Sequence, residues 1–291
     1  MHKTLLILLF IVPLMWSCGG SSADSSDSDT IAKKTALDSL SYLEGRLSGL
    51  ETNLSIERAL NEVPDSIKSY YDKNQYIIGL RSAMAVDTTS PTSLYVMMQT
   101  AQMFLNYSFI PNSNYAPIDY DIFLTQFTDE LMSTTVDEGT LIAKSQEMTS
   151  LIDRISKSNS AQLQNVGVEI STLMGQVAGL SMAYEINQNN SMPDAPKIDK
   201  KDALKGVEQY IALRPRSVGF QMGFIYGLHN LTDIMTYRQH KIYLSINDFA
   251  DAYIEAFNET GVTNETLDNV RQKLSDLLNR QLQNLADATS N

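Results

Sequence analysis

Residues that commonly carry chemistry are scarce in this sequence. It has one cysteine, one tryptophan and three histidines in 291 residues, with 14 glycines and 8 prolines. A lone cysteine excludes an internal disulfide and a cysteine-based metal site. No phosphate loop, Gly-x-Ser-x-Gly elbow or His-Glu-x-x-His pattern occurs, so the usual signatures of nucleotide, hydrolase and zinc-protease chemistry are missing. His229 and His240 could meet a carboxylate as a metal site, but solvated polar-loop histidines are the simpler reading. The acid pairs Asp129/Glu130 and Asp137/Glu138 read as solvated faces or first-turn charges favoured by the helix dipole. Basic residues are also short, 22 Lys and Arg against 34 Asp and Glu, for a net charge of −12. Nucleic-acid binding needs clustered cations on the phosphates, so the balance argues against it. Long β-branched runs are absent too. What remains is 43% hydrophobic and 19% charged, an ordinary globular composition rich in helix formers, and long enough to bury a core.

The N-terminus is organised as an address. His2 and Lys3 precede an apolar run from Leu5 to Trp16, too short to span a bilayer comfortably. Ser17, Cys18 and Gly19 follow. The stretch Leu14-Met15-Trp16-Ser17-Cys18 resembles a bacterial lipoprotein signal of the looser Bacteroidetes type, which implies residues 1–17 as a signal peptide and lipidation of Cys18. A secretory signal cleaved nearby and an uncleaved anchor are the alternatives. Residues 18–34 read as the lipidated cysteine followed by a Ser/Asp tether too polar to fold alone. The acidic run Asp24 to Asp29 is similar to surface-export signals of such lipoproteins, or is a solvated spacer. The resemblance implies an outer-membrane lipoprotein facing the periplasm or the cell surface.

From Thr35 onward the chain reads as all-α, an internally duplicated array of about ten helices in two intertwined bundle halves, 35–160 and 161–291. Leu37, Leu40, Leu43, Leu47 and Leu50 keep a helical spacing, with Gly45 and Gly49 one turn apart among them. Glycine costs roughly 1 kcal/mol relative to alanine inside a helix, so such a pair implies that another backbone comes close. Asp72 is placed as an N-cap, with Gln75 at the capping-box position and Tyr71 as the staple residue. That helix ends near Asp87, and the segment Asp72 to Gly79 returns as Asp199 to Gly206. Gly175/Gly179 and Gly223/Gly227 mark two more glycine helices. The Met97, Met98 and Met103 cluster reads as core, or as the lining of an adaptable apolar groove. An offset of 126 residues brings Ala101 onto Gly227, Phe123 onto Phe249, Val136 onto Val262, Leu141 onto Leu267, Leu151 onto Leu277 and Arg154 onto Arg280. An offset of 127 brings Gly79 onto Gly206. Caps, glycines and apolar positions in one register indicate an internal duplication.

Two glycine segments, Ser41 to Leu50 and Tyr71 to Met84, together with Val136 to Leu141 and Val262 to Leu267, resemble the N-terminal domain of FKBP-type peptidyl-prolyl isomerases of the macrophage infectivity potentiator and FkpA kind. In that family two such domains intertwine as a dimer and the helical part holds substrates. The resemblance implies duplicated copies without an isomerase domain, and hence no isomerase activity. It also implies helix-packing roles for Gly45, Gly49, Gly79, Gly175, Gly179, Gly206, Gly223 and Gly227. The intertwined pair is expected within one half, giving a monomer with an intramolecular pseudo-dimer. The function expected is a non-enzymatic, chaperone-like or polypeptide-binding scaffold with no cofactor and no metal, whose partners are the membrane, through Cys18, and unfolded or partner polypeptides. A structural or adhesive component of a surface assembly is the alternative. Because Trp16 is the sole tryptophan, cleavage ahead of Cys18 leaves a tryptophan-free protein. Tryptophan emission from material purified out of its native membrane would refute that processing.

Overall fold

The computed structural model describes residues 27–62, 68, 71–87, 90–133, 136–215, 217–240 and 242–289. Within them the side chains of 27–39, 281, 282 and 284–289 are left out of the description. Cys18 and the first part of the tether lie outside the described residues. Ten α-helices and no strand are found among those described. They are α1 (Asp27–Glu62), α2 (Lys73–Met84), α3 (Pro91–Ser108), α4 (Tyr120–Met132), α5 (Glu138–Lys157), α6 (Val166–Ser191), α7 (Lys200–Ala212), α8 (Val218–Gln239), α9 (Ile246–Phe257) and α10 (Asn264–Thr289). The order long, short, long, short, terminal runs through α1–α5 and again through α6–α10. Helix α1 starts inside the stretch read as tether.

Local chemistry explains where the short helices begin. Asp72 caps α2 by accepting from the amides of Asn74 and Gln75 at 2.8 and 3.3 Å. Asp119, Asp199 and Ser245 cap α4, α7 and α9 in the same way. Each satisfies amides that the helix itself cannot. Gln75 sits at the capping-box position, yet its Oε1 accepts from Ser217 Oγ at 3.4 Å, across to α8. Ser90 with Pro91 at the first turn starts α3, and Ser217 starts α8.

The principal helix pairs join one half to the other. Helix α1 packs on α9 and, reciprocally, α6 packs on α4; α2 packs on α8 and α7 on α3; α10 packs on α1 and α5 on α6. Helices α3 and α8 meet each other, as the two equivalents at a pseudo-two-fold axis must. The expectation that the intertwined pair forms within one half is therefore corrected: the exchange runs between the halves, as in a domain-swapped dimer carried on one chain.

Glycines set the closeness of these pairs. A Cβ at Gly175 would lie 2.5 Å from the Phe123 carbonyl oxygen, and one at Gly179 2.5 Å from that of Phe127. On the mate pair, Gly45 and Gly49 of α1 lie against the backbone of Phe249 and Tyr253 in α9. Helix α8 brings three glycines one turn apart, Gly219, Gly223 and Gly227, onto Asp72, Tyr76 and the Leu80–Ala83 turn, while Gly79 of α2 faces Phe220. The corresponding residues of α3 are Ser93, Met97 and Ala101, all buried. There Gly206 lies against the Ser93 backbone, and Ser93 Oγ donates to Asp202 O at 2.6 Å. Met97 is wholly buried, and Met98 and Met103 pack against the same core.

The aromatic residues of the short helices fill the space the glycine seams leave. Tyr120, Phe123 and Tyr210 cluster with Phe104 of α3 and Phe224 of α8, and Tyr76, Tyr253 and Phe257 form a second group. Burying one such side chain contributes about 1.5–3 kcal/mol, set against roughly 1 kcal/mol lost for each helical glycine. The Tyr76 and Tyr253 hydroxyls bond to each other at 2.7 Å, between α2 and α9.

The glycine seams should be intolerant of a single methyl group. Gly223→Ala forces a Cβ into the Tyr76 backbone and is expected to cost about 1–3 kcal/mol. Gly139→Ala, which meets only the Asp137 side chain, is expected to stay within about 0.5 kcal/mol of the parent. Urea titrations of both variants check this; equal midpoints would mean the seam gives way freely.

Candidate functional site

Four helices begin around one cleft of about 860 Å³. Asp72 and Gln75 come from the start of α2, Ile118 to Tyr120 from that of α4, Gln164, Asn165, Gly167 and Val168 from that of α6, and Ser217, Val218 and Gln221 from that of α8. Phe104, Tyr107 and Ser108 at the end of α3 close the floor, and the turn around Ser113 to Pro117 forms one rim. The convergence follows from the exchange between halves, because it sets the starts of α2 and α4 beside the starts of α6 and α8.

Most polar groups of the cleft already have work within the fold. Asp119 Oδ1 accepts from the amides of Asp121 and Ile122, as Asp72 Oδ1 does in α2. The Asp119 amide donates to Ser171 Oγ at 2.7 Å. The mate of this contact runs from the Ser245 amide to Ser41 Oγ at 2.8 Å. Each serine stands one turn before a packing glycine, Ser41 before Gly45 and Ser171 before Gly175. A Ser-x-x-x-Gly-x-x-x-Gly pattern therefore appears twice, at Ser41–Gly49 and Ser171–Gly179, and only its glycines were singled out above. Tyr107 OH donates to Ala116 O at 2.6 Å and Tyr120 OH to Pro215 O at 2.8 Å, fixing the loops at the rim. The buried Gln221 donates to Pro215 O at 2.9 Å and accepts from Ser108. Asn165, the cap residue of α6, makes no side-chain hydrogen bond to that helix. Val168 is 57% exposed at the cleft wall. Behind the floor, the Tyr210 hydroxyl is buried without a partner, and burial, then Tyr120, raises its pKa.

The eight glycines named from the sequence lie on helix seams, and none of them lines the cleft. His229 is on the exposed side of α8 and His240 at its C-terminus, not together in a loop. Asp129 is exposed, and Asp137 caps α5, with Glu138 in its first turn. Among the described residues no group of three or more His, Cys, Asp or Glu is arranged to hold a metal ion. Helix α6 is long and apolar enough to cross a membrane, but 61% of its most apolar window is buried and its glycines pack on α4.

A second unusual group is Glu44 of α1. Tyr237 OH donates to its Oε1 from α8. Burial first, then Asp233 of α8 and Glu51 of α1, push its carboxyl up to about 7 from 4.5. Asp233 is itself raised by burial and partly relieved by His229, and Glu51 is paired with Arg271 of α10 at 2.7 Å. Sequence pattern offered no signal here, because Glu44 stands between Leu43 and Gly45 like any helix-surface acid.

No protein-family model matches this chain, and neither does any curated protein or solved structure.

Because the folded state holds the Glu44 proton more tightly than the unfolded chain, its contribution is most favourable below about pH 4.5. It is lost as pH rises toward 7. Glu44→Gln, which mimics the protonated form, is expected to stabilise the protein by about 1–3 kcal/mol near pH 8 and to change little near pH 5. Equilibrium unfolding at the two pH values measures this. A variant destabilised equally at both would show that the charge is not the penalty.

Proposed function

We propose that this chain is a non-enzymatic, lipid-anchored envelope protein whose paired helical halves hold segments of other polypeptides. The observation that carries the reading is the open cleft, framed by four helix starts and walled by aliphatic, amide and hydroxyl groups. Its volume falls within the roughly 300–1,000 Å³ of typical ligand sites. Most of its polar groups are engaged in capping and loop bonds, and the exposed amides of Gln164 and Asn165 remain to bind a ligand. The interlocked halves pack the four helix starts against one another, and walls formed before binding add little ordering cost. The address rests on the sequence around Cys18, with an outer-membrane anchor and a periplasmic or surface-facing body. Kinship with the helical domains of FKBP-type isomerases is part of the same proposal, supported by the glycine helices, the capped short helices and their reciprocal pairing.

Light scattering by a thermally unfolding client tests this, with the purified chain added at increasing ratio. The expected result is suppression that saturates near one chain per client. Undiminished aggregation, together with co-purification of one fixed envelope partner, would favour a structural role in a surface assembly.

A further inference from the structure

The cleft has a chemical character that narrows what it can hold. Among its described lining residues there is no lysine, arginine or histidine. Its two carboxylates, Asp72 and Asp119, are tied to the first-turn amides of their own helices. A strongly charged ligand therefore finds no counter-charge that is not already engaged. The groups on offer pair with an uncharged hydrogen-bonding ligand: the side-chain amides of Gln164 and Asn165, and the first-turn amides of α6, which Asn165 leaves without a side-chain cap. Beside them stand Ile118, Val168 and Val218, with Val168 largely exposed. Donors and acceptors next to aliphatic side chains match the alternation of an extended peptide, whose backbone bonds in one direction while its side chains seek apolar cover. A sugar would need a ring face to stack on, but the rings that line the cleft, Phe104, Tyr107 and Tyr120, are 2%, 5% and 8% exposed.

We infer that the cleft takes an extended, uncharged polypeptide segment, with its carbonyls on the first turn of α6 and a small apolar side chain against Val168. This rests on the reading of the protein as a polypeptide-holding scaffold and names the class of segment it holds. Selection is by backbone and small aliphatic groups, not by charge, despite the net charge of −12.

The test uses the full chain and three fluorescein-labelled decapeptides of equal length: one of Ser, Ala, Val and Gln, one Lys-rich and one Asp-rich. An unlabelled oligosaccharide serves as competitor. Fluorescence polarisation should show binding of the neutral peptide, changed less than about twofold when salt rises from about 0.05 to about 0.5 M. Val168→Asp, at an exposed position, should weaken that binding by about tenfold or more. Ile142→Asp, equally exposed on α5 and outside the cleft, should leave it unchanged. The inference is overturned if the charged peptides bind in preference with steep salt dependence, if the sugar displaces the neutral peptide, if none of the peptides binds, or if Val168→Asp binds as well as the parent. Aggregation suppression by the same proteins separates the two readings. Suppression retained in Val168→Asp would leave the scaffold standing and remove the cleft from it. Neutral-peptide binding without suppression would keep the cleft and remove the holding function.

Discussion

The contact on which this fold depends is that of a glycine face on one helix with the backbone of a short aromatic helix. Without a Cβ at Gly45, Gly49, Gly175, Gly179 and Gly223, the long helices settle onto carbonyl oxygens of α9, α4 and α2. At that separation dispersion acts between main chains as well as side chains, and the aromatic rings of the short helices are left to fill the core. Each long helix and its aromatic partner belong to different halves. Neither half therefore completes its own seams, and the cooperative unit is the whole chain.

Specific side chains choose among look-alike partners. Phe123 and Phe127 of α4 present the same one-turn ladder as Phe249 and Tyr253 of α9, so either could receive the glycines of α1. Helix α1 carries Arg46, which pairs with Glu259 just beyond α9 at 2.6 Å. Its Asn53 donates to Glu259 O at 2.8 Å and to Ala256 O at 3.4 Å, the latter among the last carbonyls of α9, which lack helical partners. At the equivalent place on α6, Gln176 donates to Gln126 of α4 at 2.9 Å. Exchanging the partners would leave Arg46 without its carboxylate and Gln176 without its amide, which penalises the wrong pairing.

The same exchange creates the regions where binding or titration can occur. It gathers the starts of four helices around one cleft, and it places Glu44 of α1 beside Asp233 and Tyr237 of α8. The cleft is walled by groups whose polar capacity is largely engaged. The Glu44 carboxyl is raised to about 7 by its burial first, and then by the nearby carboxylates of Asp233 and Glu51. Both features depend on the packing of distant segments, and neither has a motif of its own.

How much could be read beforehand divides along the range of the interactions. The helical class, the cap at Asp72, the packing glycines and the duplicated register were legible in the sequence. Each rests on interactions within a few residues or on an identity repeated at a fixed offset. The Ser41 and Ser171 partners of the glycine ladders were also written there, as a repeated spacing that passes for ordinary helix surface. The sequence could not say whether α1 would meet α4 or α9, because both present the same aromatic ladder and the choice lies in long-range pairs such as Arg46 with Glu259. The cleft and the high pKa of Glu44 follow from that choice. They were decided by the tertiary structure, since burial and the meeting of helix ends are properties of the assembled chain.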